Sequence, residues 1–121
     1  MKDKHVVVID SYEPAFPLVG QRLAESGVSP DRVTYATTYQ KAEAILDRLH
    51  REGREVIVIS DEMVYSEKEG KKYTSKLLVK AKQYNFPTIV FHGMHEVENG
   101  LSGKIKKLIA EIRCENYKGL F

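Results

Sequence analysis

Two β-branched runs, Val6-Val7-Val8-Ile9-Asp10 and Val56-Ile57-Val58-Ile59-Ser60-Asp61, each end on an aspartate. Runs so apolar and so short read as strands covered on both faces, the pattern of a parallel sheet. All strands of such a sheet present their C-terminal ends on one side, so both carboxylates arrive at the same rim. In open α/β sheets ligands bind in the crevice beyond that rim, where the strand order reverses. The chain is therefore expected to gather Asp10 and Asp61 into one acidic pocket suited to a phosphate group or a metal ion.

The rest of the chain alternates strand and helix. A loop over Ser11–Pro17 leads into a helix carrying Leu18, Val19, Leu23 and Ala24 on one face and ending near Gly27. Val33–Thr37 reads as a second strand, with Thr37 or Thr38 capping the next helix. In that helix Ala42, Ile45, Leu46 and Leu49 recur at helical spacing while Lys41, Glu43, Asp47 and Arg48 face outward. The stretch Val64–Lys72 is polar and reads as a loop. A third helix is expected to align Tyr73, Leu77, Leu78, Ala81 and Tyr84. Pro87 opens a fourth strand, Thr88–Phe91, which stops at His92-Gly93 and gives way to a polar loop. Leu101, Ile105, Leu108, Ile109 and Ile112 then form a last amphipathic helix. Strands joined by helices of this length imply right-handed βαβ crossovers and one parallel sheet with helices on both faces.

At 121 residues the chain is expected to form one domain over 1–121, with a short tail at 114–121 ending in Leu120 and Phe121. A hydrophobic content of 42% against 30% charged residues is that of an ordinary globular protein. The net charge of +2 provides no global field toward nucleic acid, and Lys68, Lys71, Lys72 and Lys76 read as a solvated face, so nucleic-acid binding is disfavoured. Cys114 is the only cysteine, which excludes an intramolecular disulfide and fits a reducing compartment. No signal-peptide pattern follows Met1, and no stretch approaches the roughly 20 apolar residues of a membrane span. A cytoplasmic protein without membrane association is expected.

Over residues 4–93, and more loosely through the last helix, the chain resembles the receiver domain of two-component response regulators. In that family the first strand ends on acidic Mg²⁺ ligands, matched by Asp10, and the third ends on the phosphoacceptor aspartate, matched by Asp61. A Met is common two residues on, here Met63, and Gly70 matches the glycine ahead of the third helix. The resemblance implies a three-layer, flavodoxin-like fold with a parallel sheet of four to five strands. It further implies Mg²⁺ held by Asp10 and Asp61 with Met63, phosphorylation at Asp61, and a switch position at His92-Gly93. The chain departs from the family pattern in several places, among them a short Met94–Ser102 segment and a longer, more charged loop after Asp61. Ser11 stands at the second acidic position, leaving Glu13 as a substitute ligand. His92 replaces the usual hydroxyl, and no Lys-Pro ends a fifth strand. Lys104 is the remaining lysine that could reach inward.

The resemblance therefore implies a stand-alone, atypical receiver: a non-enzyme acting by protein–protein contact, with a histidine kinase or a downstream effector as partner. A phosphorylation-independent pseudo-receiver module and a small metal-dependent phosphate-processing enzyme are the alternatives. His92 and His95 form an H-x-x-H pair that a transition metal could use with Asp61, though two loop ligands make a sparse site. Losing the usual fifth strand would bare the edge beside the fourth, to be covered by the tail or by a second subunit in a homodimer.

Overall fold

The structure is a computed structural model that describes residues 4–118, with side chains described through residue 112. Four parallel strands form the main sheet: β1 (His5–Ile9), β2 (Val33–Ala36), β3 (Val56–Asp61) and, after a hairpin, β6 (Thr88–Phe91). Their order is β2-β1-β3-β6. The hairpin is a separate antiparallel sheet of β4 (Met63–Ser66) and β5 (Gly70–Tyr73). The helices are α1 (Phe16–Glu25), α2 (Tyr39–Arg51), α3 (Ser75–Gln83), α4 (Gly93–Asn99) and α5 (Leu101–Lys118). This is a three-layer α/β fold of flavodoxin-like type.

The β-branched runs are buried because each face of the sheet has its own helical cover. Successive side chains of a strand point to opposite faces. Val6, Val8, Ile57, Ile59, Ile89 and Phe91 therefore meet Val19 and Leu23 of α1 and Leu101, Ile105 and Ile109 of α5. Val7, Ile9, Val56 and Val58 point the other way, onto Ala42, Leu46 and Leu49 of α2 and Leu77 and Ala81 of α3. Thr38 caps α2 by accepting from the backbone N of Lys41 at 3.1 Å, which selects between the two candidate threonines.

Several expectations are corrected. Val64–Lys72 is not a loop: it lies within the β4–β5 hairpin, whose inner face buries Val64 and Ser66. Tyr73 does not join the α3 stripe but ends β5 and is 63% exposed. Ala24 lies on the outer side of α1, where only Val19 and Leu23 are buried. The segment after His92 is not a loop either. It folds as α4, held to the core by Val97. No fifth strand joins the main sheet among the described residues. The backbone of α5 continues to Lys118, whereas the packing of Cys114, Tyr117, Leu120 and Phe121, expected as a docking tail, lies outside the described residues.

Candidate functional site

Ile9 of β1 stands opposite Ser60 of β3, so the next residue of each strand, Asp10 and Asp61, emerges at the same level of the rim. β1 leads outward to β2 and β3 leads the opposite way to β6. The two carboxylates thus flank the point where strand order reverses, the position at which this fold class builds its crevice.

Asp10 is only 3% exposed. Its backbone N donates to Ala36 O at 3.1 Å, and its Oδ1 accepts from Tyr12 N at 2.9 Å, which turns the chain away from the sheet. Burial pushes the Asp10 carboxyl up to about 6; the Tyr12 N–H opposes the shift and the charge of Asp61 adds to it. Asp61 is less enclosed, and its carboxyl is also raised, chiefly by burial and further by the neighbouring Glu62. Backbone N–H groups of Glu62 and Gly93 donate to it and, with His92, act in the opposite direction; the Glu62 bond to Asp61 Oδ1 is 2.8 Å. Two desolvated carboxylates, one of them raised further by the charge of the other, form a site that a proton or a cation relieves.

The backbone around Asp61 is pinned. Its carbonyl accepts from Ser60 Oγ at 2.7 Å and from Thr74 Oγ1 at 2.9 Å. Thr74 is buried, and its N donates to Glu62 O at 2.9 Å, closing the base of the hairpin beside the site. On the other side, His92 Nδ1 lies 3.1 Å from Glu62 Oε2, with both side chains more than half exposed. Gly93 follows with φ +75°, a conformation that costs a residue with a Cβ about 1 kcal/mol or more. The space a Cβ would occupy is open, so backbone conformation alone accounts for glycine here.

The sequence-derived residues separate into those at the rim and those away from it. Asp10, Asp61, His92 and Gly93 come together at the C-terminal ends of β1, β3 and β6. Met63 is half-buried at the start of β4, opposite Tyr73. Glu13, exposed, opens a single 3-10 turn after the rim loop. His92 and His95 engage different partners, Glu62 and Asn99. Among the described residues no group of three His, Cys, Asp or Glu side chains converges to hold a metal ion. Lys104 does not reach the acidic pair. Its Nζ donates to Val90 O at 2.8 Å and pairs with Glu96.

Glu62 and Thr74 are the site residues that sequence reading passes over. Glu62 directly follows the strand-ending aspartate and was readable as a second acid; Thr74 is brought there only by the hairpin. No protein-family model matches this chain, and a search of the curated proteins finds no match. Among the described residues no helix is long and apolar enough to cross a membrane.

Proposed function

We propose that this chain is an atypical receiver-like domain that acts through protein–protein contacts and is switched by Mg²⁺-dependent phosphorylation of Asp61. The observation that carries the reading is the placement of Asp10 and Asp61 at the C-terminal ends of adjacent parallel strands, at the switch point of the sheet. The donor set suits a hard cation: Mg²⁺ takes one or two carboxylates and completes its octahedron with water and phosphate oxygens. Asp10 and Asp61 would hold it, with the Met63 carbonyl and Glu13 as further oxygen donors, and it would supply positive charge against the incoming phosphoryl group.

In the transfer itself an Asp61 carboxylate oxygen bonds to phosphorus as the donor's imidazole or small leaving group departs, producing an aspartyl phosphate. The N–H groups of Glu62 and Gly93 already address that carboxylate and hold its rotamer. His92 occupies the switch position and meets Glu62. A dianion on Asp61 competes with Glu62 for His92, so the side chain moves and carries the message to the surface. A protein partner, a histidine kinase upstream or an effector downstream, would then read the 92–93 segment and the adjoining hairpin.

One observation favours the phosphorylation-independent alternative: Lys104, the lysine nearest in role to the missing Lys-Pro, is engaged at Val90 and Glu96. An amide NMR titration with Mg²⁺ followed by beryllium fluoride, an aspartyl-phosphate mimic, decides between them. The phospho-switch reading expects Mg²⁺-dependent shifts at Asp10, Asp61, Met63 and Gly93 that vanish in Asp61→Ala. A silent titration on folded protein leaves the pseudo-receiver module as the reading.

A further inference from the structure

Among the described residues β6 is an outer strand of the sheet, paired on one side with β3. Val58 N donates to Pro87 O at 2.8 Å, and in a ladder alternate residues turn both backbone groups to the same neighbour. Pro87, Ile89 and Phe91 therefore address β3, while Thr88, Val90 and His92 turn their N–H and C=O groups to the free side. A row of this kind is a template for another strand unless something blocks it.

Two side chains from different helices meet that row. Lys104 Nζ of α5 donates to Val90 O at 2.8 Å, and Glu96 Oε2 of α4 accepts from His92 N at 2.9 Å. The ammonium and the carboxylate are also paired with each other. In a parallel ladder a single residue of the next strand would do both jobs, its N–H donating to Val90 O and its C=O accepting from His92 N. We propose that the Glu96–Lys104 pair is an edge cap, a side-chain surrogate for one residue of a fifth strand. It holds the sheet at four strands and keeps β6 from pairing with β6 of a second copy of this chain.

The second copy is the occupant the edge would take, because strand-to-strand pairing of one segment with itself closes about a twofold axis. The groove beside the edge, about 260 Å³ between β6 and α5, is lined by Ile89 and Leu108, with Lys107 and Glu111 both on it. With both signs of charge on it, two copies of this groove are complementary to each other, so the surroundings favour the pairing that the cap prevents. This inference is independent of any chemistry at Asp61.

A charge swap tests it. E96K/K104E keeps an ion pair but sets a carboxylate against the Val90 carbonyl and an ammonium against the His92 N–H. K104M keeps the aliphatic cover and removes the donor, and serves alone if the swap does not fold. The cap requires both variants to self-associate in sedimentation equilibrium while the parent stays monomeric. In mixed-isotope samples it requires intermolecular NOEs between β6 residues, and in the swap, diluted to the point where it is monomeric, the His92 amide should exchange about tenfold faster, the equivalent of one net hydrogen bond. Variants that remain monomeric, a swap that behaves as the parent does, or an oligomer whose contacts lie outside β6 would each overturn it.

Discussion

Asp10 carries an electrostatic cost that the fold tolerates. Burial raises its folded-state pKa to about 6, above the roughly 3.9 of an exposed aspartate. The folded protein thus binds this proton more tightly than the unfolded chain does. The stability gained from the neutral form is complete below about pH 4 and is lost as pH climbs through about 6. Asp61, raised by the same burial, adds a slope of the same sign. In Mg²⁺-free buffer Asp10→Asn should flatten this limb of the stability curve. At pH 7 it should stabilise the domain by about 2 kcal/mol, as read by urea denaturation at a series of pH values. On the proposed Mg²⁺ site, added Mg²⁺ should stabilise the parent and leave Asp10→Asn unchanged; a variant less stable than the parent at pH 7 would mean that the carboxylate is held by bonds that outweigh its burial.

At the scale of elements, the hairpin is the part of the fold that the sequence concealed. Its inner face is built from polar chemistry, not from an apolar period. Ser66 Oγ accepts from Gln40 Nε2 at 2.9 Å and from the backbone N of Lys68 and Glu69 at 3.3 Å. Gln40 Oε1 accepts from Glu67 N at 3.1 Å, and Lys72 Nζ lies 4.1 Å from the Tyr39 ring centroid. Only Val64 enters the core, so alternation had a single apolar residue to show. Ser66→Ala should cost about 1–3 kcal/mol and accelerate amide exchange at 67–70 before that of β3; uniform protection would show the turn held by other contacts. The main strands, by contrast, were legible from residues 6–9 and 56–59, because parallel strands covered on both faces leave unbroken β-branched runs. α4 was illegible for the opposite reason: in Gly93–Asn99 only Val97 is buried. At the site, the Asp10–Asp61 pairing followed from strand ends alone, whereas Thr74 and the redirected Lys104 depend on tertiary contacts with no local signature.

Taken as a whole, the molecule has two cores sharing one floor. The α1–α5 side and the α2–α3 side rest on alternate residues of the same strands. Melting either side exposes the sheet that the other needs, so unfolding should be a single cooperative event. Far-ultraviolet circular dichroism and tyrosine fluorescence should give coincident transitions in urea, and separate midpoints would show that one helical layer detaches first. The hairpin adds Val64 to the α2–α3 side and leans on α2 through Ser66 and Gln40. The chain enters it at Glu62 and leaves it at Thr74, whose N donates to Glu62 O at 2.9 Å, so both ends meet at a single point. A segment closed in this way is a cassette: its outward Tyr65 and Tyr73 can be exchanged without altering the span from β3 to α3. New specificity can therefore be added at the lip of the crevice while the parallel strands that place Asp10 and Asp61 remain undisturbed.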